Sequence, residues 1–168
     1  LMLRQVDKLG RAVDVILREN YQSVIICQNV NEALERIDSG LLFSFAGQTA
    51  APGFFSEQVD KIEREWKAEL DNITVPTEGA RAEKVARMLA EYIALLPELR
   101  KPERPSTERM SFYREKAFPL FQELKQEIGG ILTVNQNNMT EANNLARTEA
   151  DHLFRRGIGL LIGCFAFI

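Results

Sequence analysis

From Val6 onward, apolar residues recur at alternating steps of three and four: Val6, Leu9, Val13, Ile16, then Asn20 and Ser23, then Cys27, Val30, Leu34, Ile37, Leu41 and Ser44. Nine of these twelve positions are apolar, and Leu17, Val24 and Phe45 widen the stripe. A seven-residue repeat lines its apolar side chains along one helical seam. It predicts a first helix over residues 2–46, ended by Gly47 and the stretch from Thr49 to Gly53. A second helix is predicted over 54–70, with Phe55, Val59, Ile62, Trp66 and Leu70 on one face.

Residues 72–79 then read as a turn, because Pro76 disfavours helix at Val75 and Gly79 weakens it further. A third helix over 80–96 carries Val85, Leu89, Tyr92, Ile93 and Leu96, and Pro97, Pro102 and Pro105 mark the next loop. Ser111 is the expected cap of a fourth helix. Its apolar positions are Phe118, Phe121, Leu124, Ile128, Ile131, Leu132, Met139, Ala142, Leu145, Ala146 and Leu153. Pro119 should kink its first turns. No segment alternates as a strand does, so the expected fold is all-α: an up-down-up-down four-helix bundle with long first and fourth helices.

The fourth helix meets no stop signal before Arg155-Arg156 and an uninterrupted apolar tail, residues 157–168. Twelve helical residues rise about 18 Å, whereas a hydrocarbon core needs about 30 Å. The tail is expected to be the start of a truncated transmembrane helix, and Leu1-Met2-Leu3-Arg4 to be an entry partway along a chain, since it lacks the features of a signal peptide. Residues 1–156 then form one extracytoplasmic helical domain. Gly159 and Gly163 have the spacing that lets membrane helices pack closely.

With both chain ends at a membrane, helix one would climb about 68 Å and helix four descend a similar distance, while helices two and three span only about 25 Å each. The membrane-proximal apolar faces, Val6 through Ile16 and Ala142 through Leu153, have nothing in their own chain to cover them. A second copy is the expected cover, giving a homodimer with a membrane-proximal bundle of helices one and four from each subunit.

Asn20 lies about 20 residues up helix one, and Asn135 about 21 up helix four from Arg156, so both should sit at one height, about 30 Å out. With Ser23 and Gln136 they form a candidate polar layer in the apolar seam. Such a layer either fixes register at some cost in stability or permits two packings and carries a signal. Gly129 and Gly130 are a candidate hinge in helix four.

Composition narrows the remaining chemistry. A net charge of -3 leaves no basic footprint for nucleic acid. Cys27 and Cys164 are the only cysteines, and Cys164 lies in the apolar tail, so neither a disulfide framework nor a zinc pattern is expected. His152 is the only histidine, which removes most histidine-based acid–base schemes. Glu149 and His152 have the spacing of one half of a di-iron site, but the second such pair is missing. No catalytic residue, metal or cofactor is expected.

Four polar blocks resemble the sensor domains of KinB-type histidine kinases: Leu17-Arg18-Glu19-Asn20-Tyr21-Gln22-Ser23-Val24, Ala33-Leu34-Glu35-Arg36-Ile37-Asp38-Ser39-Gly40, Asn72-Ile73-Thr74-Val75-Pro76 and Ile131-Leu132-Thr133-Val134-Asn135-Gln136. The resemblance covers most of residues 6–153. It implies the periplasmic part of a receptor in the bacterial inner membrane, answering an envelope cue or small ligand and biasing autophosphorylation and response-regulator phosphorylation by a kinase core downstream. It brings no ligand residues with it. Arg81, Arg87, Tyr92, Trp66 and Tyr113 are the candidates the distal helices offer. A chemoreceptor sensor domain and a non-signalling, membrane-anchored interaction module are the alternatives.

Overall fold

The computed structural model describes the backbone of residues 2–73 and 76–165, and the side chains of 10–11, 13–73, 78–152 and 155. Among the described residues five α-helices follow one another: α1 (Met2–Phe45), α2 (Phe54–Asp71), α3 (Pro76–Leu99), α4 (Ser106–Phe112) and α5 (Phe118–Phe165). A single π turn, Tyr113–Ala117, joins α4 to α5. There is no strand among the described residues. The chain divides into two compact units, residues 22–134 and residues 1–21 with 135–168.

In the unit formed by residues 22–134, helices pack around one core. Cys27, Val30, Leu34, Ile37 and Leu41 of α1 are completely buried, as the seven-residue repeat expects. They meet Ile62 and Trp66 of α2, Val85, Tyr92 and Leu99 of α3, and Leu124 and Ile128 of α5 in the same core. Gly40 sets the closeness of α1 and α2. A Cβ there would lie 2.7 Å from the Phe54 ring and 3.2 Å from the Phe55 ring, so glycine admits the edge-to-face aromatic pair that opens α2. Between these helices Gly47 and Gly53 take left-handed φ values of 87° and 82°, which end α1 and start α2 without Cβ strain.

The third helix is longer than the sequence suggests. Pro76 occupies its first position, where a fixed φ and a missing N–H cost nothing, and Pro97 falls in its last turn, two residues before the end. The fourth helix also differs. It begins at Ser106 after Pro105, and Ser111, expected as the cap, lies inside α4 with its hydroxyl donating to Glu115 Oε1 at 2.9 Å. The irregularity expected at Pro119 takes the form of the π turn just upstream, closed by Phe118 N–H donating to Tyr113 O. Proline cannot donate to the carbonyl four residues back and its ring crowds that carbonyl; a widened turn relieves both.

In the other unit, Val13 and Ala142 are buried, whereas Val15 and Ile16 on α1 and Leu145 on α5 are 40%, 41% and 50% exposed. Val6, Leu9 and Leu153 lie outside the described side chains. Among the described residues, no helix is long and apolar enough to cross a membrane. The backbone of α5 runs through Gly159 and Gly163 to Phe165; the side-chain surroundings of 156–165, and residues 166–168 altogether, lie outside the described residues.

Candidate functional site

Each unit holds a buried polar grouping that interrupts the apolar packing. In the unit holding the chain ends, Asn20 of α1 and Asn135 of α5 are 7% and 2% exposed. Asn20 donates through Nδ2 to the Ile16 carbonyl at 2.6 Å and accepts at Oδ1 from Asn138 Nδ2 at 3.2 Å. The Asn20 amide therefore bonds to backbone and to another amide, which is what makes its burial tolerable. Asn138, one turn beyond Asn135, bridges α1 and α5. Gln136 is exposed on α5. Such a layer either fixes the register of the two helices at some cost in stability or permits two packings.

In residues 22–134, Ser23 is buried and its hydroxyl accepts from Asn72 Nδ2 at 2.9 Å. The same neighbourhood holds Glu69 of α2, 1% exposed, and Glu78 of α3, 7% exposed. Both carboxylate oxygens of Glu69 are enclosed without a hydrogen-bond partner. Burial, only partly opposed by the nearby Ser23 hydroxyl and reinforced by Glu78, pushes the Glu69 carboxyl up to about 7. Burial first, and then Glu69 and Glu78, hold the Cys27 thiol far above its usual range, so it is a core side chain and not a nucleophile.

At the hinge positions the structure assigns different surroundings to the two glycines. A Cβ on Gly129 would touch nothing, whereas one on Gly130 would run into the Arg81 guanidinium. Arg81 pairs with Glu127 at 3.1 Å, and Lys84 reaches Glu123 and Glu127 at 2.8 and 2.9 Å, so α3 is laced to α5 beside Gly130. Thr133 Oγ1 donates to the Gly129 carbonyl at 2.8 Å, a bond that favours bending there. Gly129→Ala is expected to raise stability by up to about 1 kcal/mol, the helix-propensity difference. Gly130→Ala should gain less, because Arg81 must move. Urea unfolding of both variants checks the order.

The remaining ligand candidates are dispersed. Trp66 is 3% exposed and its Nε1 donates to the Ala82 carbonyl at 3.1 Å, and Arg87 is exposed. Tyr113 donates to Asp38 Oδ1 at 2.6 Å, and the wholly buried Tyr92 hydroxyl has no partner. Burial raises the Asp38 carboxyl while the Tyr113 bond lowers it, and burial keeps both phenols neutral. Glu149 and His152 are exposed on α5, and no three His, Cys, Asp or Glu side chains among the described residues group as a metal site.

Glu69, Glu78 and Asn138 were not singled out by the repeat pattern. For Glu69 and Glu78 a signal exists, because each sits at helical spacing from buried apolar neighbours: Ile62 and Trp66 in one case, Ala82 and Val85 in the other. No protein-family model, curated protein or solved structure matches the chain.

Proposed function

We propose that this chain is the periplasmic signal-sensing domain of a membrane-bound sensor histidine kinase in the bacterial inner membrane. It works as a homodimer that passes an envelope cue along α5 to control autophosphorylation of the kinase and phosphotransfer to a response regulator. The observation that carries the reading is the buried amide layer, in which Asn20 on α1 is bonded to Asn138 on α5 and Asn135, also buried, belongs to the same unit. It lies on the two long helices, of 44 and 48 residues, in a chain whose other main helices have 18 and 24.

The up-down-up-down order is the proposed topology, with α2 and α3 flanking only the part of the long helices farthest from the bilayer. Exposed Val15, Ile16 and Leu145 support a second copy as the cover for the membrane-proximal faces. The apolar stretch from Gly157 onward is where α5 would meet the bilayer. The polar blocks that resemble KinB-type sensor domains supply the receptor class.

Two measurements test the proposal. Sedimentation velocity of the 168-residue chain at micromolar concentrations is expected to show a dimer; a strict monomer removes the proposed assembly. Fusing the chain ahead of a kinase core of known output, and oxidising an Asn20→Cys, Asn138→Cys pair, is expected to change the autophosphorylation rate at least several-fold. An unchanged rate with full crosslinking would leave a non-signalling interaction module.

A further inference from the structure

A cavity of about 380 Å³ opens within residues 22–134, between the loop joining α1 to α2 and the loop joining α3 to α4. Its charged lining is one-sided. Arg100 and Arg109 both line it, and no aspartate or glutamate does, in a chain whose net charge is -3. Nearby cations are treated differently: Lys101 and Arg104 both pair with Glu98. Among the described residues neither Arg100 nor Arg109 has a carboxylate partner.

Aromatic rings hold the two guanidiniums in place. Arg100 lies 4.4 Å above the Phe55 ring and Arg109 5.4 Å above the Phe45 ring. A cation held over a ring face is positioned without using up its N–H donors. At Arg109 the enclosed Nε has no acceptor. A buried donor without a partner is costly, and other atoms of the same side chain line the cavity. Gln48 and Thr49 add further polar groups to the lining, and the Phe55 ring adds an apolar wall.

We infer that this cavity binds a small organic or inorganic anion through a carboxylate or phosphate group held by Arg100 and Arg109. Planar guanidinium forks match the paired oxygens of both groups, and an apolar wall beside them accommodates a short carbon skeleton. The volume suits a molecule of a few carbons and excludes a large polymer. Binding stands on the geometry of the cavity; only its role as a receptor input rests on the proposed sensor function.

The test uses the full chain, with thermal unfolding followed while inorganic phosphate or succinate is added at ionic strength held constant with sodium chloride. At least one anion is expected to raise the unfolding temperature saturably. Phosphate alone would point to a phosphate-bearing ligand, and succinate alone to a carboxylate. Arg109→Gln and Arg100→Gln should each weaken binding at least tenfold, while Lys67→Gln, on an exposed face of α2, should leave it unchanged. Arg100 is exposed, so its variant carries the test even where Arg109→Gln fails to fold. No stabilisation by either anion overturns the proposal, as does binding that persists in both arginine variants or is weakened equally by Lys67→Gln. If binding succeeds while crosslinking at the amide layer leaves kinase output unchanged, the site survives and the sensor reading falls.

Discussion

At pH 8, Glu69→Gln is expected to be more stable than the parent chain by on the order of 2 kcal/mol, and the advantage should disappear below about pH 4.5. Glu69 is 1% exposed, both its oxygens lack partners, and its carboxyl is pushed up to about 7. Among the described residues, Cys27 and Ser23 of α1 and Glu78 of α3 act on it, none of them cationic. In the unfolded chain the same carboxyl titrates near its ordinary 4.5.

Between those two values the folded state binds the proton more tightly than the unfolded state does. Stability from this group is therefore fully present below about 4.5 and is lost as pH rises through about 7. Glutamine keeps the shape of the protonated acid and cannot ionise, so its profile should be flatter over that window. Urea unfolding across pH 4 to 9, followed by the fluorescence of the single tryptophan, measures both curves. Parallel profiles would mean that Glu69 is ionised and satisfied in the folded chain.

The parts of this architecture that depend on local spacing were legible in the sequence. Cys27 to Leu41 is one such part, because a seven-residue repeat has a single burial solution on a helix packed among helices. The limits of α1 and α2 followed from Gly47 and Gly53, whose positive φ values few other residues adopt readily. Pro119 announced a disturbance, but whether a proline produces a kink or a widened turn depends on what the neighbouring carbonyls pack against.

Choosing between steps of three and four was harder. After Trp66 the apolar spacing continues at Leu70, yet Leu70 is 37% exposed and Glu69 is buried in its place. Residue type favoured Leu70, and the approach of α3 decided for Glu69. The arginine cavity could not be read at all, since Arg100 and Arg109 flank a proline-rich loop while their aromatic supports, Phe45 and Phe55, lie more than forty residues earlier. Only folding brings the four together.

Trp66→Ala should lower stability by about 3–5 kcal/mol, the range for deleting a large buried aromatic side chain. Trp66 is 3% exposed between α2 and α3, and its indole N–H donates 3.1 Å to the Ala82 carbonyl. Trp66→Phe separates the two contributions. It keeps most of the bulk and loses only the indole bond, whose acceptor already receives a bond in the helical ladder of α3. The cost should then be about 1–2 kcal/mol. Denaturant titration followed by circular dichroism compares the two variants without relying on tryptophan emission. A loss below 1 kcal/mol for Trp66→Ala would mean that the α2–α3 pair closes around the vacated space, or that the ring serves something other than packing. A large loss for alanine with a small one for phenylalanine identifies packing as the main role of the ring, and removes Trp66 from the candidates for ligand contact.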